Sequence, residues 1–307
     1  MESSASQSFL FTGTAHPALA KEVADCLGTR LGKVAIERFP DGEISLQIQE
    51  NVRGKDVFVF QTVAFDPSRY LMELLIFIDA LKREAPRSIV AVIPYFGYCR
   101  KDRKDRQGEP ITAKLVANLI ETAGTTRVVT MDLHADQVQG FFDIPVDDIV
   151  CRQVLIEEVK QLCGNDIVVV TPDMGSAKLG SAYARLLDCG LALIDKQRIS
   201  ACEVDAVNFI GDVKGKDVLL ADDMCSTAGT LTSAAKACQE KGAKRIFAVV
   251  THGILVGQAI ERIEKSPIEA LVISNTVPVA ESVKQCSKVR IVSIAPLLAR
   301  AINCLIS

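Results

Sequence analysis

Short apolar, β-branched runs recur along the chain, and between them lie stretches whose apolar positions return every three or four residues. The runs Phe9 to Thr12, Val57 to Thr62, Ser88 to Ile93 and Arg127 to Met131 predict strands in the first half. Ile167 to Thr171, Leu191 to Ile194, Val218 to Ala221, Arg245 to Val250 and Ala270 to Ser274 predict strands in the second. In Ile111 to Glu121 the residues Ile111, Leu115, Val116, Leu119 and Ile120 fall on one helical face. Strands that alternate with amphipathic helices predict α/β architecture with mainly parallel, Rossmann-like sheets. A polar stretch near Pro145 to Asp148 divides the chain into two tandem domains, 1–147 and 148–307.

The run Val218 to Ala221 ends in Asp222 and Asp223, then Met224-Cys225-Ser226-Thr227-Ala228-Gly229-Thr230, then a helical stretch from Leu231 to Lys241. Ligands of open α/β sheets bind where strands end and helices begin, and helix N-termini attract phosphate. Asp222 and Asp223 suit sugar hydroxyls or a metal on them. Ser226, Thr227, Gly229 and Thr230 suit the phosphate of the same molecule. Polar capping of an ordinary core helix uses the same residue types and stays open. His134 and Asp173 each follow a predicted strand, one in each half, and are candidates for a shared divalent ion; a packing or capping role for His134 is the alternative. Arg100 to Arg106 holds five cations against two carboxylates, net +3, directly after the strand Ser88 to Ile93 and an aromatic turn. That position suits polyphosphate, though most such runs are solvated faces. Asp195-Lys196-Gln197-Arg198 precedes a polar, aperiodic stretch, Ile199 to Asn208, which predicts a loop carrying two cations.

Composition narrows the classes. The formal charge of −3 and pI near 5.8 offer no footprint for nucleic acid or a membrane surface. Met1 to Ser8 is polar and lacks the pattern of a signal peptide, and no apolar run has the length of a membrane span. The ten cysteines include no Cys-x-x-Cys pair and read as reduced thiols of a cytoplasmic protein. No Walker-type phosphate loop is present.

Together these elements resemble the ribose-phosphate diphosphokinase (5-phosphoribosyl diphosphate synthetase) family. The resemblance rests on Phe39-Pro40-Asp41-Gly42-Glu43, Asn51-Val52-Arg53-Gly54-Lys55-Asp56-Val57, Ile111 to Asn118, Met131 to Ala135, Gln139 to Asp147, Asp195-Lys196, the Asp222 loop, Thr251-His252-Gly253 and Asn275-Thr276. It implies two phosphoribosyltransferase-type domains and a homo-oligomer, a hexamer. It implies transfer of the diphosphoryl group of ATP to the anomeric hydroxyl of ribose 5-phosphate, with Mg2+, giving AMP. It implies that Lys196 and Arg198 are catalytic. Phe39, Asp41, Glu43, Arg100, Lys101, Asp102 and His134 fall to ATP, the first three in a neighbouring subunit. His134 and Asp173 fall to the metal. Asp222, Asp223, Ser226, Thr227, Ala228, Gly229 and Thr230 fall to ribose 5-phosphate. Three positions depart from the family pattern: Ser226 where it has Asp, Lys101 where it has Gln, and Ser176 where it has Gly. They keep two alternatives open, a weakly active regulatory paralogue and a phosphoribosyltransferase.

Overall fold

A computed structural model describes residues 8–164, 166–197 and 206–306; for 195–197 and 206–208 it describes the backbone alone. The chain divides into two compact units. The first comprises residues 1–150, 276–278 and 294–307, and the second 151–275 and 279–293. The 148–307 half expected from sequence thus shares 151–275 and 279–293 with the second unit.

In chain order the first unit begins with β1 (Ser8–Thr12), α1 (Pro17–Cys26), β2 (Val34–Arg38), β3 (Ile44–Ile48), β4 (Asp56–Phe60) and α2 (Pro67–Arg83). It continues with β5 (Ser88–Ile93), α3 (Thr112–Ala123), β6 (Arg127–Met131), a 3-10 turn at Asp136–Phe141 and β7 (Val146–Ile149). The second unit holds α4 (Arg152–Leu162), β8 (Ile167–Thr171), α5 (Ala177–Leu187), β9 (Gly190–Gln197), β10 (Ala206–Ile210), β11 (Asp217–Cys225) and α6 (Gly229–Glu240). It goes on through β12 (Arg245–Gly253), α7 (Ala259–Glu264), β13 (Ile268–Ser274), α8 (Glu281–Gln285) and β14 (Val289–Val292). The last helix, α9 (Ala295–Ile306), belongs to the first unit.

The first unit's sheet is parallel throughout, in the order β1-β4-β5-β6-β7, and β2 pairs with β3 in a separate antiparallel ribbon. The second unit's sheet runs β10-β9-β8-β11-β12-β13-β14, parallel except for β10. The two orders are one plan used twice. Strands β1, β4, β5, β6 and β7 correspond to β8, β11, β12, β13 and β14. The antiparallel pair that stands apart as β2–β3 in the first unit joins the sheet edge as β9–β10 in the second.

The correspondence reaches single residues. Val52-Arg53-Gly54-Lys55-Asp56-Val57 leads into β4, and Val213-Lys214-Gly215-Lys216-Asp217-Val218 leads into β11. Gly54 and Gly215 take φ of +68° and +74° in the turn before the strand. Asp56 accepts Arg87 Nε at 2.8 Å, and Asp217 accepts Arg245 Nε at 3.0 Å, so each carboxylate is forked by the arginine at the entry to the next strand. Those guanidiniums hold both carboxyls below their ordinary range.

The second unit is covered on both faces. Val218 and Leu220 pack in one cluster with Leu231, Ala234, Ala235 and Cys238 of α6, while Leu219 and Ala221 on the other parity are also fully buried. Such strands read as continuous apolar runs, which is why they were legible. Connections leave β8 toward β9 and β11 toward β12, in opposite directions. With right-handed crossovers this places α5 and α6 on opposite faces and makes the β8/β11 boundary a topological switch point. The first sheet has no reversal among its described strands.

Candidate active site

At the switch point β8 ends in Thr171, and Pro172 to Ser176 turn into α5. Beside it β11 runs on through Asp222 and Asp223 to Cys225, pairing with β12 as far as Gly253. The carboxylates therefore stand on strand backbone rather than on a loop. Ser176, buried at 9% exposure, joins the two strand ends. Its Oγ donates to Asp222 Oδ1 at 2.7 Å and lies 3.3 Å from Asp173 Oδ1, which accepts the Ser176 N–H at 3.1 Å. Asp222 Oδ1 also accepts the Asp223 N–H at 3.0 Å. Burial, and then the charges of Asp223 and Asp173, raise the Asp222 carboxyl well above the ordinary carboxylate range, against the opposing pull of the Ser176 bond.

The loop that follows is held from one side. Cys225, 3% exposed, packs as a thiol, which burial pushes up to about 12. It is therefore a space-filling group and not a nucleophile. Ala228 sits at φ +61° as the N-cap of α6. The first helical bond runs from Thr232 N–H to Ala228 O at 2.9 Å, so Gly229, Thr230 and Leu231 present first-turn N–H groups without intrahelical acceptors. Thr227 and Thr230 are exposed and Ser226 partly so. The second unit thus brings Asp173, Asp222, Asp223 and Ser226 to Thr230 to one sheet end.

Of its other sequence-predicted residues, Lys196 lies on β9 opposite Val207 of β10. The strand β10 occupies Ala206 to Ile210, so the stretch from Ile199 to Asn208, expected as loop, ends in paired backbone; Arg198 lies outside the described residues.

In the first unit, Phe39, Asp41 and Glu43 form the tight turn of the β2–β3 ribbon. Phe39 N–H and Gly42 N–H bond Glu43 O and Phe39 O at 2.9 Å each, and Asp41 Oδ1 accepts Glu43 N–H at 3.2 Å. Phe39 is 53% exposed at the tip, an unusual place for an aromatic ring. Arg100 is exposed after β5. Lys101 pairs with Glu109 at 3.1 Å and Asp105 at 3.5 Å, and Arg103 pairs with Asp105 at 3.1 Å, so part of the charge run is satisfied locally. Asp102 accepts a bond from Gln137 in the 3-10 turn that follows His134. His134 is exposed just beyond β6. Behind it Asp148 accepts the Leu133 N–H, and its carboxyl is pushed up to about 7 by burial, with Asp132 and Asp136 adding to the effect. A cleft of about 530 Å³ beside β1, lined by Thr12, Thr14, Lys33 and Gln49 among others, contains none of these residues.

Ser176, Glu109 and Gln137 are site neighbours that sequence reasoning did not assign. Ser176 carried a signal, its place three residues after Asp173. The other two act across the fold and carried none. Among the described residues, no three His, Cys, Asp or Glu side chains form a ready-made metal cage. Hard carboxylate oxygens that crowd one another still fit Mg2+, which takes one or two protein ligands and fills its shell with water and phosphate oxygens.

Two family models match the chain. The N-terminal domain of ribose phosphate pyrophosphokinase matches residues 8–124, and the phosphoribosyl synthetase-associated domain matches residues 197–306. A ribose-phosphate pyrophosphokinase of Burkholderia pseudomallei is 48% identical over 295 residues, covering 96% of this chain and 93% of that protein. One of Caldanaerobacter subterraneus subsp. tengcongensis is 50% identical over 295 residues, covering 95% and 93%. The crystal structure of phosphoribosylpyrophosphate synthetase from Mycobacterium smegmatis superposes with a TM-score of 0.92 at 40% identity, covering 97% of this chain and 98% of that one.

Proposed function

Because the chain belongs to the ribose-phosphate pyrophosphokinase family, we propose a division of labour among its residues in the transfer of the diphosphoryl group of ATP to ribose 5-phosphate. The enzyme makes 5-phosphoribosyl 1-diphosphate and AMP, for nucleotide biosynthesis. The observation that carries the assignment is the Ser176 bridge between Asp173 and Asp222 at the switch point, beside the open N-terminus of α6. Asp222 and Asp223 take the sugar hydroxyls. Ser226 to Thr230 take the 5-phosphate, with hydroxyls and the first-turn N–H groups of α6 as donors.

The reaction needs little covalent help. It needs two anions held in line, charge offset as the bridging oxygen leaves, and exclusion of water. Arg100, Lys101, Asp102 and His134 are assigned to ATP. Phe39, Asp41 and Glu43 are assigned to the ATP of a neighbouring copy in a homo-hexamer; the exposed Phe39 ring on a turn held by its own bonds supports this. Lys196 and Arg198 are assigned to charge that develops in the transition state. Mg2+ is assigned to Asp173 and to His134, which also serves ATP; when bound, the ion offsets phosphate charge. The described cysteines are thiols not joined in disulfides, which supports a cytoplasmic location.

The test is product identity. Purified protein with Mg2+, ATP and ribose 5-phosphate should release AMP. ADP as the main sugar-dependent product, or no product, would overturn the reading.

A further inference from the structure

Three successive carbonyls, from the last residue of β11 into the loop after it, are each bound by the segment that follows β12. Cys225 O accepts the Leu255 N–H at 3.0 Å, and Ser226 O accepts the Val256 N–H at 2.9 Å. Thr227 O accepts Arg262 Nη1 at 3.0 Å. The first two bonds are backbone to backbone and independent of side-chain identity. The third is made by one exposed arginine on α7, and it is the charge-assisted member of the set. The same Nη1 would lie 3.5 Å from a Cβ placed on Gly229, so the guanidinium lies against the loop at its turn into α6.

A carbonyl and the N–H of the next residue belong to one rigid peptide plane, and they point in opposite directions. Fixing the carbonyls of 225, 226 and 227 on one side directs the N–H groups of 226, 227 and 228 to the other. Ala228 follows at a left-handed φ of +61° that an alanine adopts only under constraint. Thr227 is thus the residue at which the loop must reverse, and its carbonyl is the one without a backbone partner among the described residues. Without Arg262 that carbonyl is free to swing toward the face where a phosphate would sit, and an oxygen dipole there repels an anion.

We infer that Arg262 is a positioning residue for the sugar-phosphate loop: it holds the Thr227 carbonyl away from the anion and sets the approach of the 5-phosphate. This rests on the assignment of Ser226 to Thr230 to ribose 5-phosphate. Arg262 acts through Thr227 and is not assigned contact with the reacting atoms.

The test compares Arg262→Ala, Arg262→Lys and Thr230→Val with the unaltered protein. ATP and ribose 5-phosphate are varied separately, with thermal melting measured in parallel. Losing a charge-assisted bond predicts a rise of about tenfold or more in the KM for ribose 5-phosphate in Arg262→Ala. The KM for ATP and the melting temperature should hold. Arg262→Lys should be intermediate. Millimolar guanidinium, below denaturing concentrations, should lower the raised KM of Arg262→Ala and leave Thr230→Val untouched. If Thr230→Val raises that KM and Arg262→Ala does not, the inference falls and the loop assignment stands. If neither variant moves it, the loop assignment itself falls. Equal loss for both substrates, with lowered melting and no guanidinium rescue, would make Arg262 a stability residue and overturn the positioning role.

Discussion

Asp222 carries two acidic neighbours in a half-buried place, and Ser176 supplies the hydrogen bond that keeps its ionised form accessible. Ser176→Ala removes that bond, so the Asp222 carboxyl should hold its proton to higher pH. The expected result is a KM for ribose 5-phosphate raised by about tenfold near neutrality. The acidic limb of the pH–rate profile should move upward, and activity should recover in Ser176→Thr. Steady-state kinetics across pH checks this, and an unmoved acidic limb would count against it. Asp148 poses a different test. Its folded carboxyl, at about 7, is raised from 3.8, so the folded protein binds more protons than the unfolded chain between those values. Stability from this group is present below the unfolded value and is lost as pH rises toward 7, by at most ~1.4 kcal/mol per pH unit. Asp148→Asn keeps an acceptor for Leu133 and should flatten the fall. Urea midpoints of both proteins at pH 5 and 7.5 measure it.

At the scale of elements, the repeated turn before β4 and β11 gives a paired prediction. A Cβ on Gly54 or Gly215 meets nothing within 4 Å, so only the backbone resists substitution. Gly54→Ala and Gly215→Ala should each lower stability by about 1–2 kcal/mol, the cost of a left-handed L-residue. Similar losses by chemical denaturation would confirm that the turns are equivalent. The strands flanking these turns were legible because both of their faces are apolar. The ribbon β2–β3 and the strands β7, β10 and β14 were not, because each is short, partly exposed or mixed in polarity, as Val146-Asp147-Asp148-Ile149 is. The run Val218 to Ala221 predicts a strand that ends at Ala221, yet β11 pairs with β12 at Asp222, Met224 and Cys225; hydrogen bonding, not hydrophobicity, ends a strand. The motif residues around Asp222 were legible because they are contiguous. Arg262 was not, because it meets Thr227 from 35 residues away on a helix with no distinguishing pattern.

At the scale of the molecule, the repeated plan ends in an exchange. In each sheet the last strand is followed by a helix, α4 after β7 and α9 after β14, and each of these helices is counted with the other unit. Helix α4 packs on α5, and α9 packs on the corresponding helix α1. Leu298, Ala299 and Ile302 of α9 are buried there, as are Leu19, Ala20 and Val23 of α1. The exchange orders events during synthesis. Translation delivers the first unit's sheet early, but its covering helix α9 follows every segment of the second unit. The second unit has all its parts once residue 293 has emerged. The first unit, begun before the second, is therefore completed after it, and it must keep the apolar face of α1 from aggregating until α9 arrives. Ribosome-bound chains arrested with residue 293 just outside the tunnel should resist protease across 166–197 and 206–275 while 8–150 is still cut. Protection of 8–150 at that length would show that α1 does not wait for its partner.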